Sequence, residues 1–171
     1  MCGETNRPTF GGTIAVIFPR ENRWSSNDSN ASLSSSPESV SSFASSSSTA
    51  SMSSYSLFFR ETDATTRKTR AIFRTEDTET YRALRECRNV DMRIEKFGDL
   101  STTLQSSAPL YQFSLNMEQD KSFTTANSMD IEFELPERLD LGVSEKGVIG
   151  RQVTVREEGG SILGVGVVGY N

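Results

Sequence analysis

Histidine is absent from the 171 residues. Its absence removes Ser-His-Asp and Cys-His catalysis, most catalytic zinc sites and the usual general base near neutral pH. Cysteine is scarce: Cys2 and Cys87 are the only two, and so few imply reduced thiols rather than a disulfide framework. Long apolar runs are missing too. The longest, Thr13 to Phe18, is far too short to span a bilayer. Met1-Cys2-Gly3-Glu4 opens without the apolar stretch that export requires. The expectation is an intracellular, soluble chain that is not secreted and has no integral membrane segment. Basic residues are outnumbered: the net charge is −5 and the pI about 4.9. Such a balance argues against a surface that binds phosphates regardless of sequence. No catalytic residue, cofactor or metal is expected, so the chain reads as a non-enzyme.

What is abundant is serine. From Ser25 to Ser56, 18 of 32 residues are serine. Too few apolar side chains are present there to offset the entropy of ordering, so the segment reads as a disordered insertion. Ser25 and Ser35 each have an acidic residue three positions on, and Ser36 precedes Pro37. These three are candidate phosphorylation sites; a plain flexible linker explains the composition equally well. Residues 1–24 form an N-terminal segment whose strand, over 10–18, docks onto the sheet of the domain at 57–171.

The rest of the chain alternates with a period of two. Thr13 to Phe18 has strong β preference and stops at Pro19. Leu57-Phe58-Phe59 and Thr69 to Arg74 read as strands, followed by a short helix from about Glu79 to Arg88 capped by Thr75 or Thr78. Val90, Met92 and Ile94 alternate with Asp91, Arg93 and Glu95. Further strands read from Leu110 to Met117, Met129 to Leu135, Val148 to Arg156 and Ile162 to Val168, the last two forming a hairpin through Glu158-Gly159-Gly160. This is a mainly β chain: an antiparallel sandwich or jelly-roll-like sheet with one short helix.

Candidate chemistry is thin. Gly164-Val165-Gly166-Val167-Val168-Gly169 matches G-x-G-x-x-G, but that motif needs a helix N-terminus after it. The glycines fit close packing or a bulge instead. Glu132 and Glu134 share a strand face and are explained as its wet side. Cys87 reads as a small buried hydrophobe. Trp24 stands where the first strand gives way to serine. Arg67, Lys68, Arg70 and Arg74 form a basic cluster that could contact an anion or nucleic acid, and Arg82, Arg85 and Arg88 form a second.

Val90-Asp91-Met92-Arg93-Ile94 resembles the short hydrophobic-Asp-x-Arg signature of plant virus movement proteins of the tobamovirus type. Tyr111-Gln112-Phe113, Phe123-Thr124-Thr125, Ile131-Glu132-Phe133 and Leu139-Asp140-Leu141-Gly142 follow in similar order, so the resemblance covers roughly residues 88 to 155. It implies a jelly-roll-like fold with Asp91 as hallmark residue and Arg93 beside it. It also implies a role in cell-to-cell movement through self-association and binding of viral nucleoprotein or nucleic acid, with host proteins as further partners, at the host cytoplasm or cell periphery. In outline the order of elements is also similar to rhabdovirus matrix proteins. A capsid-type sandwich subunit and a cellular interaction domain are the other readings.

Overall fold

A computed structural model describes residues 12–20, 52–62, 68–100, 108–118, 121–124 and 129–171. Ser25, Ser35, Ser36, Arg67, Cys2 and Trp24 lie outside them. The described chain runs β1 (Thr13–Ile17), β2 (Tyr55–Glu61), β3 (Thr69–Thr75), α1 (Thr78–Glu86), β4 (Asn89–Ile94), β5 (Tyr111–Asn116), β6 (Lys121–Thr124), β7 (Met129–Glu134), β8 (Gln152–Glu157) and β9 (Ile162–Tyr170). The nine strands form one antiparallel sheet in the order β5-β4-β8-β9-β1-β2-β3-β7-β6. The expected mainly β, sandwich-like architecture is what the chain adopts.

The sheet nearly closes on itself. β5 and β6 are its two end strands, yet only residues 117–120 join them. Five Cα–Cα steps reach at most roughly 18 Å, so the two ends must meet at that corner. The inward side chains of both halves therefore share one core. Ala15, Ile17, Leu57, Phe59 and Phe73 come from one half, and Val90, Met92, Ile94, Val153 and Val155 from the other. All ten are at most 1% exposed. Period-two alternation in each strand is what sends these residues to the same side.

Element boundaries moved where tertiary contacts decided them. β2 begins at Tyr55, two residues inside the stretch that composition assigns to the serine-rich insertion, because Tyr55 is buried and pairs with Ile17. The helix is capped by Asp77, not by Thr75 or Thr78. The Asp77 carboxylate accepts from the Thr80 amide at 3.0 Å and from its hydroxyl at 2.6 Å. Those bonds hold its pKa below the ordinary carboxylate value. The helix ends at Glu86, short of Arg88, because Cys87 turns to extended backbone and points its thiol into the core. The strand expected from Val148 starts at Gln152, with Val148 a core residue of the preceding loop. The four-residue β6 was not anticipated as an element.

β1 sits between β2 and β9 and hydrogen-bonds to both. Its close approach to β9 explains the glycines there. A Cβ on Gly164 would stand 2.5 Å from Ile17 Cγ2, and one on Gly166 would stand 2.3 Å from the Val16 carbonyl oxygen. The two glycines form a slot that takes the Ile17 side chain and the β1 backbone. Gly159, in the β8–β9 turn, meets nothing within 4 Å. Gly166→Ala is therefore expected to cost about 1–3 kcal/mol through overpacking against main chain, while Gly159→Ala changes stability by less than about 0.5 kcal/mol. Urea unfolding of the two variants measures the difference.

Candidate functional site: the outer face of the sheet

The interior of the sheet is filled by side chains, so the features that can meet a partner lie on its outer face. Alternation places Arg70, Ile72 and Arg74 of β3 outward, next to Asp130, Glu132 and Glu134 of β7. Lys68 pairs with Glu134 and Arg70 with Glu132. Arg74 makes a two-pronged contact with Asp130, Nε to Oδ1 at 2.8 Å and Nη2 to Oδ2 at 2.6 Å, which raises the Arg74 pKa. Lys68, Arg70 and Arg74 thus lie along the same edge of the outer face, and each stands beside a β7 carboxylate. The patch offers alternating charge instead of a uniformly positive surface. Glu132 and Glu134, read from sequence as a wet strand face, are the other half of this lattice.

β2 adds an arginine that faces another. Arg60 is the register partner of Arg70, and like charges set opposite one another are unfavourable. Arg60 turns instead onto the Phe58 ring, 5.7 Å from its centroid, and Arg74 lies over the same ring at 5.0 Å. Two guanidinium groups thereby cover an outward phenylalanine that is only 8% exposed. At the seam between the sheet's ends, Arg70, Glu132, Phe133, Glu134 and Pro136 face Ser114, Leu115 and Asn116 of β5 across a cleft of about 330 Å³.

The signature residues lie elsewhere on the same face. Asp91 of β4 pairs in register with Arg156 of β8 and with Ser114 of β5. Arg93 stands two residues along, with its Nε 3.3 Å from Glu95 Oε1. Burial and the Arg93 guanidinium both lower the Arg156 pKa, and the Glu95 and Asp91 carboxylates oppose that shift. Asp91 thus lies opposite the partly buried Arg156 in the β4–β8 register. The second basic cluster is taken up by local contacts: Arg82 with Glu79 at 2.8 Å, Arg85 Nη1 with the Met117 carbonyl at 2.9 Å, and Arg88 with Glu118 at 3.9 Å.

Between the two charged patches lies an apolar stripe that sequence reading missed. β1 and β9 lie at the centre of the sheet, and the exposed apolar residues of their outer side are Val16, Val167 and, directly after β1, Phe18, exposed by 44%, 37% and 57%. Phe18 is bonded through its backbone to Val165, with N···O distances of 2.9 and 3.0 Å. The signal was present in the sequence: Ile14-Ala15-Val16-Ile17-Phe18 is apolar at both parities, whereas a half-buried strand alternates.

Cys87 and Tyr55 are neighbours inside the core. Burial, then the Glu157 and Glu86 carboxylates, push the Cys87 thiol up to about 11. Burial, then Cys87, raise the Tyr55 phenol. Among the described residues, no group of three or more His, Cys, Asp or Glu could hold a metal, and no helix is long and apolar enough to cross a membrane.

Two measurements check this geometry. Asp130→Ala is expected to cost about 1 kcal/mol, because it breaks a two-pronged, partly buried pair, whereas Glu134→Ala at a half-exposed pair costs close to nothing. Denaturant titration separates them. A raised thiol pKa favours the protonated form in the folded state. The contribution of Cys87 is therefore complete below about pH 8.5 and is lost as pH rises through about 11. Iodoacetamide at pH 8 should label Cys87 much more slowly in the native protein than in urea; equal rates would contradict the burial. Compared with known proteins, the chain matches no family model and no curated sequence.

Proposed function

We propose that the chain is a non-enzymatic β domain that acts through macromolecular contacts, and that its role is cell-to-cell movement of a plant virus by self-association and nucleoprotein binding. The observation that carries the contact reading is the apolar stripe of Val16, Phe18 and Val167 at the centre of the sheet, flanked by the charged lattices of β3–β7 and β4–β8. An exposed apolar strip with a charged rim is the usual anatomy of a protein-binding surface. The movement reading is supported by the resemblance around Asp91, which lies on the outer face in β4, one element after α1. Because Lys68, Arg70 and Arg74 are matched by carboxylates, their patch suits the protein component of a nucleoprotein better than bare phosphates.

Phe18→Asp is expected to abolish self-association measured by sedimentation velocity while shifting the unfolding midpoint little, since the residue is mostly in solvent. A fluorescent fusion in leaf epidermis should gather at the cell periphery and rescue a movement-defective virus. Asp91→Ala should lose both while retaining a cooperative unfolding transition. A diffuse signal from the unmodified fusion, without rescue, refutes the movement role.

A further inference from the structure

Among the described residues, the three most exposed large apolar side chains are Phe97, Val143 and Tyr170, at 73%, 72% and 65%. They come from separate stretches of chain: Phe97 follows β4, Val143 lies between β7 and β8, and Tyr170 ends β9. The strand order gathers them at one end of the sheet. Neighbouring strands are antiparallel, and β4, β9 and β7 are separated by one and by three strands, so all three run the same way. Tyr170 faces Thr13 at the start of β1, which puts Phe18 at the opposite end.

The loops that carry Phe97 and Val143 are tied down. Arg151 clamps them together: its Nη1 donates to the Lys96 carbonyl, and its Nη2 to those of Ser144 and Glu145 at 3.3 and 2.9 Å. Phe97 stands one residue from this clamp on one side and Val143 on the other. The Gln152 amide donates to the Phe97 carbonyl at 3.0 Å. Gly98 lies so close to the second loop that a Cβ there would stand 2.1 Å from the Gly150 carbonyl oxygen. Val148 and Ile149 donate back to the Asp140 and Gly142 carbonyls at 2.9 and 3.3 Å. Backbone held this way keeps the two side chains in water, where apolar surface is unfavourable.

At such exposure these side chains protrude. Protrusions suit a deformable apolar phase, whereas a folded partner has to offer a matching pocket for each. The flanking residues fit the same phase. Lys96 and Lys146 are exposed beside the tips, and a lysine stem lies along apolar surface while its ammonium reaches a phosphate. A tyrosine presents an apolar ring and a polar hydroxyl, the form favoured at a bilayer interface. Of the nearby acids, Asp140 is engaged within its own loop, accepting from the Gly142 amide at 2.8 Å and the Ser144 hydroxyl at 2.5 Å. Glu95 Oε1 lies 3.3 Å from Arg93 Nε, while Glu137 and Glu145 are exposed.

We propose that this end of the sheet docks on a lipid bilayer. Phe97 and Val143 insert at the acyl boundary, Tyr170 lies at headgroup depth, and Lys96 and Lys146 meet lipid phosphates. The inference goes beyond the movement reading and uses a different surface from the stripe of Val16, Phe18 and Val167. Vesicle binding and leaf rescue can therefore succeed or fail separately.

Flotation of the full-length chain with unilamellar vesicles of phosphatidylcholine, with and without phosphatidylglycerol, tests the proposal. The unmodified chain is expected to float with the vesicles. Phe97→Asp and Val143→Asp should each lower its partition by about tenfold or more, since an inserted apolar side chain is lost and a charge replaces it. Lys96→Ala and Lys146→Ala should each lower partition to anionic vesicles by roughly fivefold. Phe18→Asp, at the opposite end, leaves it unchanged. Circular dichroism melts of the aspartate variants should match the parent, because the altered side chains stand in solvent. Phe97→Trp, made with Trp24→Phe, keeps the apolar tip and reports its depth: its emission should shift to the blue and be quenched by lipids brominated along the acyl chain. An unmodified chain that floats with neither vesicle, or Phe97→Trp emission that vesicles leave unchanged, overturns the proposal. Flotation retained by Phe97→Asp but lost by Phe18→Asp places the lipid contact on the stripe and overturns it as well.

Discussion

The seating of β1 between β2 and β9 is the contact on which the rest of the sheet depends. Without it, β2 and β9 have unpaired inner edges and the core loses Ala15 and Ile17 from its centre. An interior gap of that kind costs both transfer free energy and the packing contacts of its lining. The two glycines of β9 are the local condition for the seat, since they let the backbones and Ile17 approach. The place of this strand is secured by side-chain fit and by backbone pairing on both edges.

Closure at the other end follows a different logic. The short link over residues 117–120 brings the end strands β5 and β6 to one corner, and the cleft lined by Ser114, Asn116, Arg70 and Glu134 marks where the sheet stays open. The outer face then divides by strand. Charged lattices occupy β4–β8 and β3–β7, and the apolar stripe runs along β1 and β9 between them. The strand whose inner side anchors the core is the same strand whose outer side exposes Val16, with Phe18 directly after it. Core integrity and contact surface are therefore coupled through the six residues Thr13 to Phe18.

Much of the fold was legible because inward and outward positions differ in polarity. Met129 to Leu135 and Val90 to Ile94 alternate clearly, and both became strands facing as expected. The cap at Asp77 was not legible, since Thr75, Asp77 and Thr78 can all cap and only the orientation of Thr80 selects among them. β6 was not legible because four residues carry too little periodicity. Of the candidate sites, Lys68, Arg70 and Arg74 stand beside carboxylates that sit some sixty residues away in sequence and became visible only in the strand register.

The sequence by itself determined the fold class of the protein. Period-two patterning specified an antiparallel β chain, and β9's glycines announced a close approach without naming the strand that makes it. Tertiary structure decided which charges meet, which face of β1 stays in solvent and what fills the glycine slot. These depend on strand order and register, and both are set by long-range pairing that local sequence does not encode.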